Sequence, residues 1–119
     1  LGKICLPGTV KVDALYEIYT YPQVHQMIST IRGEVPNDTT LANVLQATFP
    51  MGSMTGAPKN KVLQLTEQYE ASHRGLYSGA IGYQQPNGDF DTNVVIRSLM
   101  HNASTGYTNY HVGGGITYY

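Results

Sequence analysis

The sequence predicts an α+β fold. Val-, Ile- and Tyr-rich strand patterns fill its first third, two helical patterns its middle, and strands separated by hairpin turns its last third. The turns "PNGD" at 86 to 89 and "ASTG" at 103 to 106 join the late strands directly, which argues for antiparallel pairing rather than a doubly wound parallel sheet.

Residues 8 to 21, "GTVKVDALYEIYTY", alternate Val10, Val12 and Ala14 against Lys11 and Asp13, the pattern of a strand with one buried face. Pro22 interrupts it, and "QVHQMISTIRGEV" carries β-branched residues through Ile31 before Gly33 and Pro36, a second strand. The period then changes in "PNDTTLANVLQATFP": Thr39 or Thr40 can cap, and Leu41, Val44, Leu45 and Thr48 share one helical face. This helix ends before Pro50. "FPMGSMTGAPKNK", 49 to 61, reads as a loop, and "PKNKVLQLTEQYEAS" as a second helix with Val62, Leu65 and Tyr69 on one face and Pro58 in its first turn. After Gly75, "LYSGAIGYQQ", "FDTNVVIRSLMHN" and "YTNYHVGGGITYY" form an antiparallel meander.

With 119 residues, 41% hydrophobic and 13% charged, the chain has apolar material for one core of modest size. One domain, or part of one, is expected. A formal charge of -1 and seven scattered Lys and Arg leave no basic footprint for nucleic acid. The lone Cys5 cannot make an internal disulfide and fits a reducing, cytoplasmic setting. No apolar run has the length of a membrane span, so no membrane partner is expected. The chain begins Leu1-Gly2 and stops within a strand pattern, "GGGITYY". A strand ending there would leave an apolar edge exposed, so 1–119 is expected to be a partial domain cut at both ends.

Arg97 is the most informative charge. In a continuous strand "NVVIRSLM" it shares a face with Val95 and Leu99, while Val94, Ile96 and Met100 take the other, so both sides look buried. A buried guanidinium left unpaired costs roughly 3 to 5 kcal/mol. Either a structural ion pair or a bidentate clamp on a ligand carboxylate or phosphate answers that cost, and the sequence leaves both open. The triple glycine Gly113, Gly114 and Gly115 suits either a bulge or a close backbone approach to an anion. "GSMTGAPK" is not a P-loop, because Lys59 follows Pro58 and no Ser or Thr follows Lys59. Ser53 and Thr55 nonetheless gather with free N–H groups just before a helix start, where an anion is favoured. His25, His73 and Cys5 read as packing residues. The eight acidic residues form no cluster of metal-ligating spacing, and Asp89 and Asp91 serve a turn.

Five blocks in order, "VHQMIST" (24 to 30), "FPMGSMTGAPK" (49 to 59), "RGLYSGAIGY" (74 to 83), "NVVIRS" (93 to 98) and "GGGI" (113 to 116), resemble the chorismate-utilising enzymes over nearly the whole chain. The resemblance implies part of a two-sheet antiparallel sandwich flanked by helices, incomplete here, that binds chorismate with Mg2+. Within the family the "GGGI" and "FPMGSMTGAPK" blocks lean toward the branch that aminates chorismate at C4, with ammonia from a glutamine amidotransferase subunit, for 4-aminobenzoate and folate synthesis. It implies Arg97 and Tyr77 on one substrate carboxylate, backbone N–H groups around Gly113, Gly114 and Gly115 on the other, and Ser53 beside the ring.

Two positions depart from the family. Its acid–base histidine falls on Gln26, with His25 one residue earlier on the opposite face, and its acidic residue falls on Tyr119. Glutamine cannot transfer a proton at neutral pH, which speaks against the pyruvate elimination of anthranilate formation. The resemblance further implies that the magnesium-binding glutamates and a nucleophilic lysine lie outside residues 1 to 119, so the isolated chain is expected to be inactive. Anthranilate or isochorismate chemistry on the same scaffold remains an alternative. So does a non-catalytic anion-binding module, which Gln26 keeps open.

Overall fold

The computed structural model describes residues 1–117; Tyr118 and Tyr119, and with them the departure at Tyr119 and the end of the last strand pattern, lie outside the described residues. The chain divides into two compact units, Leu1–Phe49 and Pro50–Tyr119.

In the first unit, β1 (Lys11–Thr20) and β2 (His25–Arg32) pair antiparallel, from Thr20 opposite His25 to Lys11 opposite Arg32. The Tyr21 N–H donates to the Val24 carbonyl at 2.9 Å and closes the turn around Pro22. The register shifts twice, between Val12 and Ala14 and between Ala14 and Glu17, with Tyr16 at φ 56 inside the second shift. Such irregularities re-aim the side chains beyond them. The expected buried face is therefore not formed: Ala14 is half-buried, whereas Val10 and Val12 are exposed. Helix α1 (Leu41–Thr48) starts at a capping box, in which Thr40 Oγ1 accepts from the Asn43 N–H at 3.2 Å and Asn43 Oδ1 accepts from the Thr40 N–H at 3.0 Å. Leu41, Val44, Leu45 and Thr48 are half-buried along one face, as the period predicts.

The second unit holds α2 (Gly52–Thr55), α3 (Lys59–Tyr69), β3 (Ala80–Gln84), β4 (Phe90–Val94), β5 (Leu99–Asn102) and β6 (Tyr107–Tyr110). Three expectations change here. The loop 49 to 61 contains the helical turn α2, with Pro58 as the residue flanking α3. The half-buried side of α3 is Lys59, Val62, Leu63 and Thr66, while Leu65 and Tyr69 are exposed, so the inward stripe is rotated from the expected one. The expected strand over 90 to 102 is two strands: the Ile96 N–H turns back to the Val94 carbonyl at 3.0 Å, and Arg97 takes φ 53. The left-handed residue falls in the break between β4, which ends at Val94, and β5, which begins at Leu99. Arg97 is consequently exposed instead of lying between two buried faces.

Among the described residues the strands form three two-stranded antiparallel sheets, β1 with β2, β3 with β4 and β5 with β6, so the tail is two hairpins and not one meander. The α+β class holds. The expected core does not form: among the described residues no hydrophobic side chain is buried, and Ser78 is the buried polar one. A two-stranded hairpin supplies a single layer, and burying an apolar face requires a second. No helix among the described residues is long and apolar enough to cross a membrane.

Candidate functional site

The site is built by an extension of the β3–β4 ladder. Beyond Ala80 opposite Val94, the Ser78 N–H donates to the Val95 carbonyl at 3.0 Å and the Val95 N–H to the Gly79 carbonyl at 2.9 Å. Residues 74 to 79 coil tightly before this point, with the Tyr77 N–H on the Arg74 carbonyl and the Gly79 N–H on the Leu76 carbonyl. The "RGLYSGAIGY" block thus lies against the segment that ends at Arg97. Both segments use a non-glycine residue in the left-handed region, Ser78 at φ 69 and Arg97 at φ 53. Such conformations cost on the order of 1 to 3 kcal/mol each and persist where surrounding contacts hold them.

These segments open onto a cavity of about 410 Å³ within the second unit. Ser53, Tyr77, Arg97, Gly113, Gly114 and Gly115 all line it. Gln26 belongs to the first unit, in β2 opposite Tyr19, where its side-chain amide donates to the Met27 carbonyl at 3.2 Å. His25 beside it has Nδ1 3.1 Å from Thr20 Oγ1.

Tyr77 is half-buried and held from several sides. Its ring stacks on His111 with centroids 5.3 Å apart and planes 17° apart, and the Arg74 guanidinium carbon lies 5.9 Å from its centroid. Its hydroxyl sits against the Gly113 Cα so closely that any Cβ at 113 would collide with it. A Cβ at 113 would have to displace the Tyr77 hydroxyl, whereas a Cβ at Gly114 or Gly115 would meet nothing. Ser53 is exposed in α2. Arg97 makes no hydrogen bond or ion pair within the described residues, and its exposed guanidinium leaves its donors to solvent or ligand.

Arg74 is the reverse case. Nε donates to Glu70 Oε2 at 2.8 Å, Nη2 to Glu70 Oε1, and Nη1 to the Met54 carbonyl at 2.7 Å and Ser78 Oγ at 3.3 Å. The hydrogen bonds from Arg74 hold the Glu70 carboxyl below its ordinary range, against a smaller opposing effect of burial. The same bonds push the Arg74 guanidinium up, also against burial. Arg74 and His111 are not among the residues that the sequence singles out. The Glu70 to Arg74 spacing of four was the visible signal for the first; nothing in the sequence marks the stacking of His111 on Tyr77.

Among the described residues no group of three or more His, Cys, Asp or Glu side chains is placed to hold a metal ion. The cavity offers the Arg74 and Arg97 guanidinium groups, a phenol, a hydroxyl and a glycine-lined backbone, a donor set suited to a small carboxylate-bearing ligand.

A family model described as chorismate binding enzyme matches residues 1–119. The chain is 44% identical over 117 residues to the probable chloroplastic aminodeoxychorismate synthase of Oryza sativa subsp. japonica, covering 98% of this chain and 13% of that protein. It is 39% identical over 116 residues to anthranilate synthase component 1 of Mycolicibacterium smegmatis, covering 98% and 22%. The crystal structure of anthranilate synthase component I from Streptococcus pneumoniae superposes with a TM-score of 0.73 at 33% identity, over 82% of this chain and 22% of that one. The chain spans less than a quarter of the length of each of these proteins.

Proposed function

This chain belongs to the chorismate binding enzyme family, and we propose that it is the chorismate-binding part of an aminodeoxychorismate synthase component I. Chorismate is a small dianion. One carboxylate takes the Arg97 guanidinium and the Tyr77 hydroxyl, the other the backbone N–H groups of Gly113 to Gly115, and the Ser53 hydroxyl stands beside the ring. The observation that carries this reading is Arg97, a cavity-lining cation without a protein partner among the described residues. An exposed guanidinium on the cavity wall can take a carboxylate bidentately, and a cavity of about 410 Å³ suits a small molecule.

In the intact protein the hairpins are part of a two-sheet sandwich that covers the apolar faces left open here. Ammonia, delivered by a glutamine amidotransferase subunit, replaces the C4 hydroxyl. A C–N bond forms, the C–O bond breaks, the oxygen leaves as water and the enolpyruvyl group stays, giving 4-amino-4-deoxychorismate for 4-aminobenzoate and folate synthesis. This chain's residues fix both carboxylates and hold the ring in one orientation, which removes the entropy of alignment from the barrier. Mg2+ would be held by ligands outside this chain. The isolated chain binds without turnover.

Anthranilate formation is the second reading, favoured by the 39% identical relative and the 33% identical structure. Gln26 at the histidine position weighs against it. Product analysis of the intact protein with chorismate, ammonia and Mg2+ separates the two. Formation of 4-amino-4-deoxychorismate without pyruvate supports the first reading; stoichiometric pyruvate with anthranilate overturns it in favour of the second.

A further inference from the structure

Arg74 and Arg97 line the same cavity but are used differently. A guanidinium has five N–H donors. Arg74 commits four of them to Glu70 Oε1 and Oε2, the Met54 carbonyl and Ser78 Oγ, while Arg97 commits none within the described residues. The acceptors on Arg74 are placed tellingly: Met54 follows Ser53 in α2, and Ser78 follows Tyr77. Its face also lies over the Tyr77 ring at 5.9 Å.

We propose that Arg74 is a positioning residue, which Glu70 holds and which in turn fixes the spacing between Ser53 and Tyr77 across the cavity. Helix α2 has one turn, closed by the Gly56 N–H on the Gly52 carbonyl at 2.8 Å, and one turn does not stand alone in water. The bond from Arg74 to Met54 ties that turn to the segment carrying Tyr77. The pair is no helix-surface staple of the common i,i+4 kind, because α3 ends at Tyr69 and Arg74 lies beyond it. Glu70 does not line the cavity, so its effect on the site passes through Arg74. Lysine at 74 would carry the charge but could not reach three acceptor groups in one plane.

The kinetic half of this proposal rests on the chorismate reading; the geometric half does not. In the intact protein, Glu70→Gln, Arg74→Lys and the exchanged pair Glu70→Arg/Arg74→Glu are compared with wild type by amide hydrogen exchange at Met54, Gly56 and Ser78 and by kcat and KM for chorismate. Glu70→Gln and Arg74→Lys are expected to exchange at least tenfold faster at these amides, with kcat lowered at least tenfold and KM changed less than threefold, since misalignment acts on the transition state more than on ground-state binding. The exchanged pair restores the ion pair but not the donors to Met54 and Ser78, and is expected to recover neither protection nor kcat. Unchanged exchange in both single variants, or wild-type kcat in the exchanged pair, overturns the proposal. If wild type neither binds nor converts chorismate, the functional reading fails, and the exchange measurements alone decide the role of Arg74.

Discussion

Alanine at Gly113 tests the closest approach in the cavity. Its Cβ would occupy the space of the Tyr77 hydroxyl. Movement of the ring disturbs its contacts, since His111 stacks on it at 5.3 Å and Arg74 lies 5.9 Å from its centroid. Either that stack or the 113 to 115 backbone must shift, a form of overpacking that costs roughly 1 to 3 kcal/mol. If the displaced groups are those that hold a substrate carboxylate, that is about a 5- to 150-fold rise in Kd for chorismate. Gly114 supplies the control, since a Cβ there meets nothing and its φ lies outside the left-handed region. Gly114→Ala is expected to change Kd by about twofold or less, in line with substitutions of roughly 0.5 kcal/mol or below. Titration calorimetry on the intact protein reads both. Equal affinities for Gly113→Ala and Gly114→Ala would refute the packing of Tyr77 on Gly113.

Other outcomes follow from single contacts. Tyr77→Phe keeps the stack on His111 and removes one donor; if that hydroxyl binds a carboxylate, Kd for chorismate rises roughly 10-fold or more, the scale of a hydrogen bond to a charged group. Thr40→Ala removes the cap of α1 and is expected to cost about 1 kcal/mol, read as faster amide exchange across Leu41–Thr48 with no change in chorismate affinity. Glu70 has its carboxyl lowered on folding by Arg74, so it contributes stability that is present above its ordinary value of 4.5 and is lost as pH falls through the lower folded value. The Tm difference between wild type and Glu70→Gln is therefore expected at pH 7 and should shrink as the pH falls below 4.5. A difference that grows in acid would reverse the sign of this linkage.

Local chemistry made α1 legible: Thr40 and Asn43 form a cap, and the apolar period follows it. Hairpin turns were legible for the same reason, since "PNGD" and "ASTG" carry their own turn residues. The break at Arg97 was not, because Val94, Val95 and Ile96 are good strand residues and a left-handed arginine leaves no mark in composition. Burial was legible along α1 and much less so elsewhere. Val10, Val12, Leu65 and Tyr69 are apolar at the right spacing, yet apolar spacing records which face is suited to burial, not whether a second layer covers it. The cavity residues Ser53, Tyr77, Arg97 and Gly113 to Gly115 were found through the blocks that carry them. What brings them together was not, because the ladder extension at Ser78 and the four bonds of Arg74 depend on tertiary geometry.

Arg97 carries the central claim, that the cavity takes chorismate through an unpaired cation. Calorimetric titration of chorismate into the intact protein and its Arg97→Ala variant, at equal ionic strength and with a Tm control, tests it most directly. Binding by wild type and at least a tenfold loss in the variant, with Tm unchanged, is the predicted result. Equal affinity in the two proteins, or no binding by wild type, would contradict it.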